Sequence, residues 1–158
     1  MFKIGFGYDV HALTKGESLI LGGVKVSHEK GLSGHSDADV LTHAVIDAIL
    51  GALGKGDIGR HFPDADPSYK GIDSFLLLIE VAKMIREDGL MLNNLDATIV
   101  AQNPKLTPYI YSMEKRLSDV LEVDTKMINI KATTTEGLGF CGKEEGIAAY
   151  VVVTLKTA

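Results

Sequence analysis

The chain has a single cysteine, no long hydrophobic run and no cluster of basic residues. Because Cys141 is alone, no intramolecular disulfide can form, and a reducing compartment fits the sequence. The longest apolar run, residues 75–79, is far too short to cross a bilayer. A net charge of −5 without a Lys/Arg stripe argues against a polyanion as the main ligand. We therefore expect neither a nucleic-acid nor a membrane partner.

The first residues also lack the basic start and apolar core of a signal peptide. We expect a cytoplasmic protein, or a plastid-type organellar protein from which a targeting segment has been removed. No repeat, low-complexity tract or linker interrupts the sequence, so residues 1–158 are predicted to form one domain. The apolar content of 46% and charged content of 23% are those of a folded globular chain and exclude disorder.

Hydrophobic periodicity indicates alternating strands and helices. The predicted strands are residues 2–11, 18–26, 95–101, 126–135 and 147–156, and the predicted helices are residues 38–53, 73–88 and 107–121. The early strands are expected to form a hairpin around Gly22 and Gly23. This order predicts an α+β fold, a mixed β-sheet with helices packed on one face. The other face of the sheet then needs a cover, and self-association is the simplest one.

Asp9 and His11 lie two residues apart in an apolar, β-branched stretch that is typical of a strand end. Side chains at this spacing share one face of a strand, with Cα atoms about 6.6 Å apart, which suits two ligands of one ion. His43, from a separate segment, would complete a two-histidine, one-carboxylate zinc site whose fourth position stays open for substrate. The alternative interpretation is an aspartate that caps a turn beside a histidine with ordinary hydrogen bonds.

His43 lies on a largely apolar predicted helix, between Asp39 and Asp47 at spacings of four residues. We expect these two carboxylates to share its face of the helix and to orient the imidazole as a metal ligand. Ser36, three residues before Asp39, resembles the start of a capping box. The alternative interpretation of His43 is a core histidine that is hydrogen-bonded to backbone.

Two loops near this helix carry candidate ligand contacts. His35 and Ser36 could meet a ligand, or could serve only as turn and cap. The loop over residues 56–67 is rich in turn residues and acids, and Asp57 or Asp64 could accept hydrogen bonds from a polyol. The alternative interpretation is that Asp57 and Asp64 only stabilise the turns of this loop.

A third loop, residues 131–143, follows a strand and combines consecutive threonines with glycines. Threonine hydroxyls and backbone amides at a strand end suit phosphate oxygens, and Glu136 could hold a hard divalent cation. The Gly-Lys-Ser/Thr ending of a P-loop is absent, and β-propensity with a flexible hairpin is the alternative. A second turn, residues 101–106, could read a base edge through its backbone while Lys105 meets phosphate.

Taken together, these segments resemble the 2-C-methyl-D-erythritol 2,4-cyclodiphosphate synthase family. The matching motifs are Gly7-Tyr8-Asp9-Val10-His11, His35-Ser36-Asp37-Ala38-Asp39, Gly56-Asp57-Ile58-Gly59 with Phe62-Pro63-Asp64, and Thr133-Thr134-Thr135-Glu136 with Gly139-Phe140. The resemblance implies a homotrimer with three active sites at subunit boundaries. It also implies conversion of 4-diphosphocytidyl-2-C-methyl-D-erythritol 2-phosphate to the cyclic diphosphate and CMP, by attack of the 2-phosphate oxygen on the β-phosphorus.

The resemblance also implies roles for individual residues. Asp9, His11 and His43 match zinc ligands, and Glu136 matches the ligand of Mg²⁺ or Mn²⁺. His35 and Thr134 match catalytic positions. The residues that the resemblance places around the substrate are Asp9, His11, His35, Ser36, Asp57, Gly59, Asp64, Ala101, Pro104, Lys105, Leu106, Ala132, Thr133, Thr134, Thr135, Glu136, Phe140 and Lys143.

Two positions depart from the common family sequence: Phe6, where histidine is frequent, and Lys143, where arginine is usual. Lysine presents a point charge rather than the bidentate fork of arginine. Two other functions stay open from the residues themselves. One is a zinc phosphohydrolase that uses metal-bound water, and the other is a non-catalytic assembly protein that zinc stabilises.

Overall fold

A computed structural model describes all 158 residues and confirms the predicted α+β class. Four strands come first, three helices follow, and strands and helices then alternate to the end of the chain, with short 3₁₀ turns between some of them. The strands are β1 Phe2–Lys15, β2 Leu19–Leu21, β3 Val24–Val26, β4 Lys30–Ser33, β5 Leu90–Val100, β6 Ile128–Thr133 and β7 Gly146–Thr157, and the helices are α1 Val40–Leu53, α2 Ile58–His61, α3 Ser74–Glu87, α4 Ile110–Leu121 and α5 Gly139–Gly142.

Five strands form one mixed sheet in the order β4-β1-β7-β5-β6. Only the β5–β6 pair is parallel, and the other neighbours are antiparallel. β2 and β3 form a separate two-stranded hairpin. Its turn residues Gly22 and Gly23 both have positive φ, which confirms the predicted hairpin position.

The helices α1, α3 and α4 cover one face of this sheet. The strand residues on that face are fully buried, as Val151, Val153 and Leu155 of β7 show, and α1 is buried along most of its length. The resulting hydrophobic core contains 38 buried residues. None of the helices combines the length and the apolar character that a membrane span requires.

The opposite face of the sheet is apolar and exposed around β1 and β7. Its large side chains are between 40% and 71% exposed; they are Phe2, Ile4, Phe6, Tyr8 and Val10 of β1 with Tyr150 and Val152 of β7. Burying such side chains is favourable by about 25 cal/mol per Å², so a contiguous apolar patch on a folded chain marks a surface for association.

β1 packs directly against the backbone of α1, through glycines on its inner face. A Cβ atom added to Gly7 would lie 1.9 Å from the carbonyl oxygen of Ala44, and one added to Gly5 would lie 1.8 Å from that of Ala48. Any other residue at these positions would push the helix off the strand. Asp9 is the next inward residue along β1, so this contact brings it to the N-terminal half of α1.

Some elements differ from the predicted ones. β5 begins at Leu90 rather than at residue 95. Its first half was not predicted, because a bulge between Leu92 and Asn94 interrupts the alternating pattern and asparagine has a low β-propensity. β1 continues to Lys15, and the predicted strand 18–26 is two short strands. β4 and α2 were not predicted, since each has only four residues and no periodic pattern.

Replacing Gly7 by alanine is expected to destabilise the protein by about 1–3 kcal/mol or more, because the new methyl group meets helix backbone that cannot move aside. Urea unfolding at matched protein concentration measures the change. Gly51→Ala is the control: a Cβ there meets nothing closer than 3.9 Å, and an added helix alanine stabilises. Equal unfolding midpoints for Gly7→Ala and the parent chain would contradict the packing argument.

Candidate metal and substrate site

Asp9, His11 and His43 converge at the junction of β1 and α1, as the sequence predicted. Asp9 Oδ2 lies 3.0 Å from His11 Nδ1 and 3.1 Å from His43 Nδ1. One ligand atom from each of the three residues lies within 4.8 Å of the others. Strand and helix thus supply a set of two nitrogens and one oxygen that faces a common point.

The chemistry of this set fits a divalent cation. Nδ1 of His11 is buried and, apart from its 3.0 Å contact with Asp9 Oδ2, has no polar partner. A buried polar atom with so little compensation is costly, and a metal ion would use its lone pair. The group contains no fourth histidine, cysteine or carboxylate. Three protein ligands with an open position are the arrangement of catalytic zinc sites, whereas structural zinc normally has four.

Electrostatics at the cluster favour charge separation between Asp9 and the histidines. Burial raises the pKa of Asp9, but hydrogen bonds to His11 and His43 outweigh burial and hold its pKa below the usual value. Burial lowers the pKa of His43, but the hydrogen bond to Asp9 and its charge outweigh burial and raise the pKa. The Asp9 carboxylate is therefore ionised, and its negative charge favours a cation beside it.

The groups that orient His43 are not the two carboxylates predicted from helix spacing. Nε2 of His43 lies 2.8 Å from Ser74 Oγ and 3.0 Å from Ser36 Oγ. Neither Asp39 nor Asp47 hydrogen-bonds to the ring. The prediction was wrong because both carboxylates are engaged by backbone amides from other segments.

Asp39 joins the hairpin to the start of α1. Its carboxylate accepts hydrogen bonds from the backbone N–H groups of Gly22 at 2.9 Å, Gly23 at 2.7 Å and Thr42 at 3.0 Å. Asp39 is itself the N-cap of α1, so the predicted capping box that begins at Ser36 is also wrong. Burial raises the pKa of the Asp39 carboxyl, and its hydrogen bonds oppose that rise.

Asp47 holds the next loop in place. Its carboxylate accepts a hydrogen bond from the backbone N–H of Ile58 at 2.7 Å. Asp57 is the N-cap of α2 and accepts from the N–H of Arg60 at 2.9 Å. These two carboxylates therefore fix α2, which carries Gly59, beside the metal cluster.

The metal cluster opens into a cavity of about 210 Å³. Four other residues that the sequence predicted around the substrate line it: His35, Ser36, Gly59 and Asp64. Apolar side chains complete the wall, among them Phe62 and Tyr69, whose rings meet edge to face. Asp57 does not line this cavity.

A second cavity, of about 400 Å³, lies where β5 and β6 end. The strands are parallel neighbours and finish at the same sheet edge, with Val100 opposite Thr133. The cavity brings together the two predicted turns, and its lining includes Ala101, Pro104, Lys105, Leu106, Ala132, Thr133 and Thr134. Backbone groups, threonine hydroxyls and one lysine suit a nucleotide with its phosphates.

Glu136 does not line this second cavity, and neither do Thr135, Phe140 and Lys143, although the sequence predicted all four around the substrate. Glu136 has φ of +55°, a strained conformation for a residue other than glycine, and such strain concentrates at functional sites. The next residue, Gly137, donates its N–H to Oε1 of Gln102 at 3.2 Å. Gln102 thereby links the two loops, a role that no motif in the sequence indicated.

The two cavities share no lining residue. Strand register explains the separation, because Asp9 pairs with Ala149, which pairs with Ile99, which pairs with Ala132. Three strand spacings amount to about 14 Å. The two cavities nevertheless lie near the same end of the sheet, because Asp9 of the first is in register with Ala132 of the second.

Comparison with known proteins gives the family. Residues 2–156 match the YgbB family. The chain is 61% identical over 156 residues to the 2-C-methyl-D-erythritol 2,4-cyclodiphosphate synthase of Carboxydothermus hydrogenoformans, which covers 99% of this chain and 96% of that protein.

Solved structures agree with this result. The bifunctional IspDF of Campylobacter jejuni has a TM-score of 0.96 and 43% identity over 100% of this chain, which spans 43% of that longer protein. A 2C-methyl-D-erythritol-2,4-cyclodiphosphate synthase in its CDP-bound form has a TM-score of 0.90 and 34% identity, covering 98% of this chain and 100% of that one. This chain therefore belongs to the YgbB family, the family of the 2-C-methyl-D-erythritol 2,4-cyclodiphosphate synthases.

Proposed function

We propose that this enzyme converts 4-diphosphocytidyl-2-C-methyl-D-erythritol 2-phosphate to 2-C-methyl-D-erythritol 2,4-cyclodiphosphate and CMP. The reaction belongs to non-mevalonate isoprenoid biosynthesis and to the phosphorus–oxygen lyase class. The observation that carries the proposal is the open Asp9, His11 and His43 cluster in a chain 61% identical, over nearly its whole length, to a synthase of this name. The full-length match favours neither a zinc phosphohydrolase nor a zinc-stabilised assembly protein.

The two cavities divide the substrate between them. The metal-side cavity would take the erythritol phosphate, with His35 and Ser36 at the phosphate and Asp64 at the hydroxyls. The second cavity would take the cytidine diphosphate part, with Lys105 and Thr134 at the phosphates. The CDP-bound relative supports a cytidine nucleotide as the ligand class.

The residues of the chain bind and align, and none needs to act as a covalent nucleophile. The substrate supplies its own nucleophile: its 2-phosphate oxygen bonds to the β-phosphorus while the bond from that phosphorus to CMP breaks. Because the attack is intramolecular, alignment can contribute several kcal/mol. Cys141 is buried, and burial raises the pKa of its thiol, which also makes it a poor nucleophile.

Two cations complete the proposed site. Asp9, His11 and His43 would hold zinc, and Glu136 would hold Mg²⁺ or Mn²⁺. When bound, these ions polarise the phosphate oxygens and neutralise charge on the leaving CMP. His35 and Thr134 would hold the reacting phosphates in line from the two sides.

The active unit would be a homotrimer, with each site shared by two chains. The apolar face of β1 and β7 supports this assembly, because association would bury it. The separation of the two cavities within one chain, about 14 Å by strand register, supports pairing of one chain's metal cavity with a neighbour's nucleotide cavity.

We also place residues 1–158 in one catalytic domain, which the continuous core supports. A cytoplasmic location is supported by curated relatives that are bacterial enzymes, and these relatives give no support to the organellar alternative.

Phosphorus NMR of the reaction products tests the proposed function. With zinc and Mg²⁺ present, we expect one cyclic diphosphate and one CMP per substrate consumed, because the substrate's own phosphate is the nucleophile. Release of free phosphate in place of the cyclic product would contradict the proposal and favour a phosphohydrolase.

Glu136→Gln tests the second cation. The variant keeps the shape of the side chain but removes its charge, so turnover should need a higher Mg²⁺ or Mn²⁺ concentration while the zinc content stays unchanged. Glu145→Gln, an exposed glutamate before β7, is the control and should behave like the parent enzyme. An unaltered cation dependence for Glu136→Gln would remove Glu136 from this role.

Mixed trimers test the shared site. His43→Ala and Lys105→Ala should each be poorly active alone, because each breaks one side of every site. In a cyclic mixed trimer one interface joins two intact sides, so co-refolding should restore about one site in three. Activity is measured on trimers confirmed to contain both variants.

A matched control mixes His43→Ala with His11→Ala. Both defects lie on the metal side, so every interface in that mixture stays broken and no activity should return. If the His43→Ala and Lys105→Ala mixture is no more active than this control, each site lies within one chain and the shared-site proposal is wrong.

A further inference from the structure

We propose that Ser74 and Asp37 are positioning residues that fix the His43 imidazole in the tautomer and orientation that metal binding requires. The inference rests on the proposed metal site and adds two residues from outside the matching ligand set. Ser74 is the first residue of α3, 31 residues from His43 along the chain, and its side chain is fully buried.

The directions of the hydrogen bonds made by Ser74 show that Nε2 of His43 carries a proton. Ser74 Oγ donates a hydrogen bond to Asp37 Oδ1, and the Ser74 N–H donates to Asp37 Oδ2 at 3.0 Å. A serine hydroxyl has only one hydrogen, and here it is committed to the carboxylate. Toward His43 Nε2, at 2.8 Å, the Ser74 oxygen can therefore only accept.

The consequence appears at the other ring nitrogen. The neutral imidazole, which is the form that binds a metal, carries one N–H, and Ser74 holds it at Nε2. In that form Nδ1 of His43 presents its lone pair on the side of Asp9 Oδ2, 3.1 Å away, where a cation would lie. This is the carboxylate–histidine–metal arrangement with a serine hydroxyl between carboxylate and histidine.

Asp37 is the outermost residue of the hydrogen-bonded chain Asp37–Ser74–His43, and backbone hydrogen bonds fix its position. Its Oδ1 accepts from the N–H of Asp39 at 3.1 Å, and its own N–H donates to the carbonyl oxygen of Ile72 at 3.1 Å. It thus bridges the loop before α1 and the loop before α3. Ser36, whose Oγ lies 3.0 Å from Nε2, also lines the metal-side cavity.

Capping of α3 does not explain the pair. The N-cap of this helix is Asp73, whose carboxylate accepts from the N–H of Phe75 at 2.9 Å. The contact between Ser74 Oγ and Asp37 is therefore additional to the cap. Because Ser74 Oγ also lies 2.8 Å from Nε2 of His43, this contact has a role beyond starting the helix.

Zinc affinity of the assembled protein, measured by competition with a chelating dye, tests the inference. Ser74→Ala should bind zinc about 10–100-fold more weakly, the usual effect of losing a group that orients a ligating histidine. Asp37→Asn should also weaken binding, because the amide no longer matches both donors of Ser74. Ser118→Ala, which removes a buried serine hydroxyl from α4, should leave zinc affinity unchanged.

A spectroscopic measurement separates positioning from stability. In the zinc-loaded protein, ¹⁵N NMR should show His43 protonated at Nε2 and metal-bound at Nδ1. Ser74→Thr keeps the hydroxyl and should keep both that signature and the affinity, whereas Ser74→Ala should lose the single Nε2–H state. A Ser74→Ala protein with a lower melting temperature but the parent's zinc affinity and ¹⁵N signature would overturn the inference.

Two further results also bear on the inference: failure of Ser74→Ala to fold, and the zinc affinity of His43→Ala. If Ser74→Ala does not fold, Asp37→Asn decides in its place, and parental zinc affinity in that variant would overturn the inference. His43→Ala, which removes a proposed zinc ligand, is the reference with which the zinc affinity of the other variants is compared. Parental zinc affinity in His43→Ala would overturn the metal site itself. Lost affinity there, with normal affinity in Ser74→Ala, would overturn only the positioning role.

Discussion

The backbone contact between β1 and α1 brings the proposed metal ligands together. Gly5 and Gly7 let the strand lie against the carbonyl oxygens of Ala48 and Ala44, at a distance that no side chain would allow. His43 immediately precedes Ala44, and Asp9 is the next inward residue after Gly7. Close packing of small residues thus sets the distance between metal ligands from two different elements, and a looser fit would pull the ligand set apart.

The distribution of charge explains how an acidic chain can handle a substrate rich in phosphate. The net charge is −5, and the second cavity holds only one lysine, Lys105. Neutralisation of phosphate charge therefore falls to the proposed cations at the Asp9 cluster and at Glu136, with backbone amides and threonine hydroxyls in support. The same acidity that argued against nucleic-acid binding makes metal ions the natural electrostatic partners of the site.

The sequence predicted the sheet, the hairpin and the convergence of Asp9, His11 and His43, because each depends on local periodicity or on residue chemistry. It failed for the groups around His43. Helix spacing placed Asp39 and Asp47 on the histidine's face, but that argument cannot see the hairpin amides and the Ile58 amide that engage those carboxylates. Ser74 carries no motif and comes from another helix, so only the folded chain shows it.

Zinc-edge anomalous diffraction from a crystal grown with zinc would test the proposed metal site, because it locates the bound ion without reference to activity. We expect one peak per chain, about 2.0–2.2 Å from Asp9 Oδ2, His11 Nδ1 and His43 Nδ1, with no fourth protein side chain in the coordination shell. A peak at another position, or a fourth protein ligand that closes the site, would contradict it.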